Sequence, residues 1–166
     1  LGGVSTDGST YDVARTLSMP SVLIVNSRGA SLSVLATIKG FLSFREDSQI
    51  RAVILNQVSP MIYAQLKPLI EQELGVQVLG YVPKLTDLNL ESRHLGLVLP
   101  GEIEALKEKL KRLAMALEET LDLDELLRLA EMTEPINYEE PKFPVLEHSV
   151  KIAVAADDAF CFTYLD

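Results

Sequence analysis

Asn56 closes the stretch IRAVILNQV at residues 50–58, where Val53, Ile54 and Leu55 lead directly into a single polar side chain. A carboxamide donates and accepts hydrogen bonds in one plane, which suits the edge of a nucleotide base. Its competing role is to close a turn. Asn26 ends a second apolar run, Val22-Leu23-Ile24-Val25, in the same way. Residues 91–97, ESRHLGL, gather Arg93 and His94 in a cluster more polar than a solvated loop needs. A guanidinium there can pair with phosphate or carboxylate, or form a loop ion pair, and an isolated histidine such as His94 is more often structural. Ser9, Thr10 and Asp12 stand where a helix would begin, so they could meet an anion at exposed N–H groups or simply cap them. Ser31 and Ser33, close after Gly29, are open to either reading. Cys161, between Phe160 and Phe162, reads as core packing.

The spacing excludes other chemistries. The sequence has no G-x-x-x-x-G-K, the loop that cradles nucleotide phosphates. Gly2, Gly3 and Gly8 do not form a dinucleotide fingerprint, and no cysteines and histidines recur at metal-ligand spacing.

These residues need elements to hold them. A short helix capped by Ser9 or Thr10 is expected to about Leu17, with Asp12 in its first turn. Residues 22–25 form a first strand. A helix over 32–44 places Val34, Leu35, Ile38, Phe41 and Leu42 on one face. Residues 50–58, apolar and β-branched without alternation, read as a strand buried on both sides. Ser59 followed by Pro60 starts a helix that stops at Gly75, and residues 76–82 give a third strand ending at Pro83. This β-α-β-α-β order predicts a parallel sheet with right-handed crossovers and helices on its faces, a three-layer α/β fold. Three strands make a thin sheet, so further strands are expected from a part of the protein preceding residue 1. Helices are also expected over 102–120, with Ile103, Leu106, Leu110, Leu113 and Leu117 as its stripe, and over 124–131. Pro135, Pro141 and Pro144 among acidic residues suggest an extended linker, followed by a new strand at 150–155.

Length and composition narrow the classes. The chain has 166 residues, 48% of them hydrophobic, enough for one domain with a real core. Its net charge of −9 without a basic run argues against nucleic acid and anionic membranes as partners. One cysteine allows no internal disulfide, no apolar run approaches the ~20 residues of a membrane span, and no signal-peptide pattern opens the chain. A cytoplasmic location is expected.

Five stretches, in order, resemble the cobyrinate a,c-diamide synthase family of the corrinoid pathway. They are STDGSTYDVART at 5–16, VLIVNSRGASLSVLATIKGF at 22–41, AVILNQVSPMIYAQLKPLIEQELGVQVLGYVP at 52–83, ESRHLGLVLPGE at 91–102 and KIAVAADDAFCFTY at 151–164. The resemblance implies a P-loop NTPase fold like dethiobiotin synthetase, truncated at its N-terminus. Residues 1–132 would be the C-terminal part of the amidoligase domain, 133–148 a linker and 149–166 the first strand of a class I glutaminase domain. Such an enzyme uses ATP and Mg²⁺ to phosphorylate the a and c carboxylates of cobyrinate. Ammonia released from glutamine then displaces the acyl phosphate.

Carried onto this sequence, the resemblance places Asn56 and Pro83 at the adenine, and Arg93 and His94 close to the nucleotide or the substrate face. Ser9, Thr10 and Asp12 would sit near the phosphates or the corrinoid carboxylate and Ser31 would face the substrate or a subunit contact, with no metal ligand and no catalytic residue in the chain. Asn26 stands where the family commonly has Asp. The family's P-loop and its glutaminase Cys and His are not in the sequence, so the chain alone is expected to be inactive. Dethiobiotin-synthetase-like domains often pair, so self-association is expected. Two alternatives are a nickel-sirohydrochlorin a,c-diamide synthase and a non-catalytic assembly module.

Overall fold

The computed structural model describes residues 5–88 and 105–140, together with 142, 148 and 151–155. It divides into two units, Leu1–Ile136 and Asn137–Asp166.

In the first unit the order is α1 (Thr10–Thr16), β1 (Ser21–Asn26), α2 (Ser33–Ser43), β2 (Ile50–Asn56), α3 (Pro60–Leu74), β3 (Gln77–Val82), α4 (Leu106–Thr120) and α5 (Leu123–Glu131). A 3-10 turn covers Thr86–Leu88. The three strands form one parallel sheet in the order β1-β2-β3.

β2 is central because its sequence tolerates burial on both faces. Ala52, Val53, Ile54 and Leu55 are all buried, and successive side chains alternate between faces. Val53 and Leu55 join Ile38 of α2 and Leu66 and Ile70 of α3 in one cluster. Ala52 and Ile54 join Leu79 and Leu129 of α5 in a second. Helices therefore cover both faces, giving the expected three layers. Each fully buried aliphatic side chain contributes roughly 1.5–3 kcal/mol. The exposed Lys67–Glu71 pair, at 3.8 Å, adds at most about 1 kcal/mol. Apolar burial, not surface charge, fixes the layers.

The helix ends follow from local chemistry. Ser59 Oγ accepts the N–H of Ile62 at 3.4 Å, Pro60 opens α3, and Gly75 ends it at φ 63°. Gly80 does a different job. Its φ is 146°, and a Cβ there would lie 2.2 Å from the Thr120 carbonyl oxygen. That close approach lets Leu121 form an antiparallel bridge to Gly80 and lets the Asp122 N–H donate to Leu79 O at 2.7 Å. The α4–α5 junction is thereby pinned to the outer edge of β3.

Several expectations change. β2 ends at Asn56 rather than residue 58, because Gln57 takes φ 60°, which breaks the extended chain. Phe41 leaves the core face of α2 and is 55% exposed, while Val34, Leu35 and Ile38 are buried. α4 begins at Leu106 after Ala105 at φ 52°, its stripe residue Leu110 is exposed, and none of its residues is fully buried. Ile103 lies outside the described residues.

In the second unit, residues 151–155 take no regular structure where a strand was expected. Ile152 and Val154 are 82% and 62% exposed, and among the described residues no strand pairs with them. Residues 137–140 are exposed and irregular. Cys161 lies outside the described residues.

Candidate functional site

In open parallel sheets, ligands bind beyond the carboxyl ends of the strands. Here those ends are level: Asn26 pairs with Asn56, and Asn56 with Val82. Two backbone bonds cross just past them, from Ser27 N–H to Asn56 O at 2.7 Å and from Val58 N–H to Val82 O at 3.3 Å. Tyr81, next to Val82, stacks on Tyr63 of α3 with ring centroids 4.5 Å apart. The rim is therefore tied laterally and from one face.

A cavity of about 470 Å³ opens on this rim, within the range of small-ligand sites. Asn56, Gln57, Val82, Pro83, Lys84 and Arg28 line it, with Leu85, Thr86, Leu88 and Leu113 as a less polar wall. Its described charged lining residues are two cations, Arg28 and Lys84. Among the described residues the Asn56 carboxamide has no hydrogen-bond partner, although Asn56 is half-buried. Asn26 differs: its Oδ1 accepts the Arg28 N–H at 3.1 Å and so closes the β1–α2 turn.

Asn56 and Pro83 thus share one cavity. Ser31, in the loop before α2, is exposed and is not among its described lining residues. Ser9 and Thr10 line a different cavity, of about 480 Å³, with Ser21, Val22, Ile50 and the rings of Phe41 and Phe44. That cavity lies at the amino ends of β1 and β2. Ser9 and Asp12 have local partners: Ser9 Oγ accepts the Asp12 N–H at 3.2 Å, and Asp12 Oδ2 accepts the Gly8 N–H at 3.0 Å. Arg93 and His94 lie outside the described residues.

Beside the amino-end cavity, the Tyr11 hydroxyl donates to Asp47 Oδ1 at 2.5 Å, and Arg15 lies 3.6 Å from Asp47 Oδ2. The Tyr11 hydrogen bond, followed by a backbone hydrogen bond at Asp47 and then the Arg15 charge, lowers the Asp47 carboxyl below its ordinary value, against a smaller opposing effect of burial. The same hydrogen bond raises the Tyr11 phenol.

Arg28, Gln57 and Lys84 were missed from sequence. Each directly follows, or lies within two residues of, a strand end, so the carboxyl-end rule alone would have flagged them. Among the described residues, no group of three or more His, Cys, Asp and Glu could hold a metal ion. No helix of the described residues is long and apolar enough to cross a membrane.

Comparison with known proteins gives a consistent picture. The chain is 38% identical over 164 residues to the cobyrinate a,c-diamide synthase of Clostridium tetani, covering 99% of this chain and 36% of that protein. It is 40% identical over 159 residues to the enzyme of the same name from Caldanaerobacter subterraneus, covering 95% and 35%. It is 38% identical over 169 residues to the hydrogenobyrinate a,c-diamide synthase of Brucella ovis, covering 99% and 38%. The chain therefore spans a little over a third of the length of these relatives. No family model matches it, and no solved structure does.

Proposed function

We propose that this chain, which is 38–40% identical to cobyrinate a,c-diamide synthases along nearly its whole length, belongs to that family and supplies the nucleotide-base end of an ATP-dependent amidoligase. The observation that carries this reading is the Asn56 carboxamide, without a hydrogen-bond partner among the described residues, lining the carboxyl-end cavity together with Pro83. A planar donor–acceptor pair at that rim suits the edge of adenine, and the chain around Pro83 would flank the ring.

For the whole protein, we propose conversion of the a and c carboxylates of a corrin to amides. A substrate carboxylate oxygen attacks the γ-phosphorus of ATP and ADP leaves, forming an acyl phosphate. Ammonia, released when water hydrolyses the glutamine side-chain amide, attacks the acyl carbon. The carbon–oxygen bond to phosphate breaks, phosphate departs, and the nitrogen loses a proton to give the amide. Phosphorylation is needed because a carboxylate is a poor acyl donor, and positioning supplies much of the acceleration. ATP is proposed to enter with Mg²⁺ as counter-cation. Residues 1–132 would belong to the amidoligase domain, 133–148 to a linker and 149–166 to the start of the glutaminase domain. Ser9, Thr10, Asp12 and Ser31 remain proposed substrate contacts, and Arg93 and His94 nucleotide contacts. The chain by itself is proposed to be inactive.

Identity is 38% to relatives named for cobyrinate and to one named for hydrogenobyrinate, so both corrins belong in the test. The whole protein is incubated with ATP, glutamine and either corrin, and diamide and ADP are measured. The reading expects diamide and ADP formation, with an increase in KM for ATP of tenfold or more in Asn56→Ala. Absence of amide with both corrins would sink the corrin assignment, and absence with nickel-sirohydrochlorin as well would sink the amidoligase assignment. An unchanged KM for ATP in the variant would remove Asn56 from the base site.

A further inference from the structure

We propose that Arg28 and Lys84 form the oxyanion-binding end of the cavity that Asn56 opens onto. This inference deepens the nucleotide-site reading and rests on it. The chain carries 24 acidic and 15 basic residues, yet the described charged residues lining this cavity are both cations. Neither side chain has an ion-pair or hydrogen-bond partner among the described residues. Both are exposed, and two cations lining one cavity with no counter-charge among the described residues favour a bound anion there.

The turn that carries Arg28 is tied down. The Arg28 N–H is held by Asn26 Oδ1, and neighbouring Ser27 is 2% exposed, with its hydroxyl donating to Val25 O at 3.2 Å. Lys84 follows Pro83, whose ring fixes its own φ. The cavity thus offers a planar amide at the end of β2 and cations beyond the ends of β1 and β3. A ligand carrying both a polar planar edge and an oxyanion fits this arrangement. The oxyanion is a phosphate of the nucleotide or a carboxylate of the acceptor substrate, and arginine and lysine bind either.

The test measures binding to the chain by calorimetry or NMR. Adenosine is the probe without an anion, pyrophosphate the probe without a base, and ADP the probe with both. Propane-1,2,3-tricarboxylate stands for the acceptor carboxylates. Wild type is compared with Arg28→Gln, Lys84→Gln and the double variant, all at exposed positions where folding is not at stake. ADP should bind at least tenfold more tightly than adenosine. Each single variant should weaken ADP about threefold to fivefold, and the double variant should bring ADP down to the affinity of adenosine, which is itself unchanged. Displacement of ADP by pyrophosphate identifies phosphate as the source of the anion. If the tricarboxylate binds instead, with the same loss in the double variant, the source is a carboxylate. Retention of anion affinity in the double variant overturns the proposal, as does failure of every anion to bind. If pyrophosphate binds and is lost in the double variant while adenosine does not bind, the cation pair stands and the base-site reading falls. Adenosine binding with no gain for any anion is the converse result.

Discussion

Asn26 and Asn56 are register partners at the carboxyl ends of adjacent strands, and the fold uses them differently. The Asn26 carboxamide accepts the Arg28 N–H and closes a turn, whereas that of Asn56 has no partner among the described residues and faces a cavity. Replacing each with alanine should separate the two roles. Asn26→Ala loses a hydrogen bond worth about 0.5–1.5 kcal/mol, seen as a lower urea midpoint. Asn56→Ala should change the unfolding free energy by less than ~0.5 kcal/mol and abolish adenosine binding. A large stability loss in Asn56→Ala with binding intact would reverse the assignment.

Gly80 is where β3 admits the α4–α5 junction. A Cβ would meet Thr120 O at 2.2 Å and Leu121 Cα at 2.8 Å, both backbone atoms, at φ 146°. Neither neighbour can swing aside as a side-chain tip could. Gly80→Ala should destabilise the chain by about 3 kcal/mol or more, and the Asp122 amide should lose hydrogen-exchange protection as its bond to Leu79 O opens. Wild-type protection in that variant would contradict the packing described.

Tyr11 and Asp47 link α1 to the loop before β2. Because the folded Asp47 carboxyl lies below its ordinary value of 3.8, its contribution to stability is present above that pH. It is lost as pH falls through the lowered folded value. Tyr11 has the opposite sign: its contribution is present below the ordinary 10.0 and is lost as pH rises through the raised value. In Tyr11→Phe the Asp47 carboxyl, followed by NMR titration, should move up toward 3.8. No movement would assign the shift to the backbone hydrogen bond at Asp47 and the Arg15 charge instead.

Local chemistry and hydrophobic period made most of the first unit legible. Ser59, Pro60 and Gly75 bound α3 where their side chains and backbone preferences require, and the uninterrupted run 52–55 marked the central strand. What escaped were features set by tertiary contact. The exposure of Phe41 depends on what lies beyond α2, which a helical period does not encode. The left-handed Gln57 stops β2 although glutamine does not favour that backbone. Residues 151–155 have strand composition, but composition supplies no ladder partner. At the site, Asn56 stood out because one polar residue ended an apolar run. Arg28 and Lys84 looked like ordinary surface cations until the strand ends were found level. The separation of Ser9 and Thr10 from Asn56, with the two sets at opposite ends of the strands, is likewise a product of topology.

The central claim is that a nucleotide base is held at the carboxyl ends of β2 and β3. An adenosine titration followed by amide chemical shifts tests it directly. The account predicts saturable shifts clustered at Asn56, Gln57, Val82 and Lys84, absent in Asn56→Ala. Shifts clustered at Thr10, Tyr11 and Phe44 around the amino-end cavity, or no saturable shifts, would contradict it.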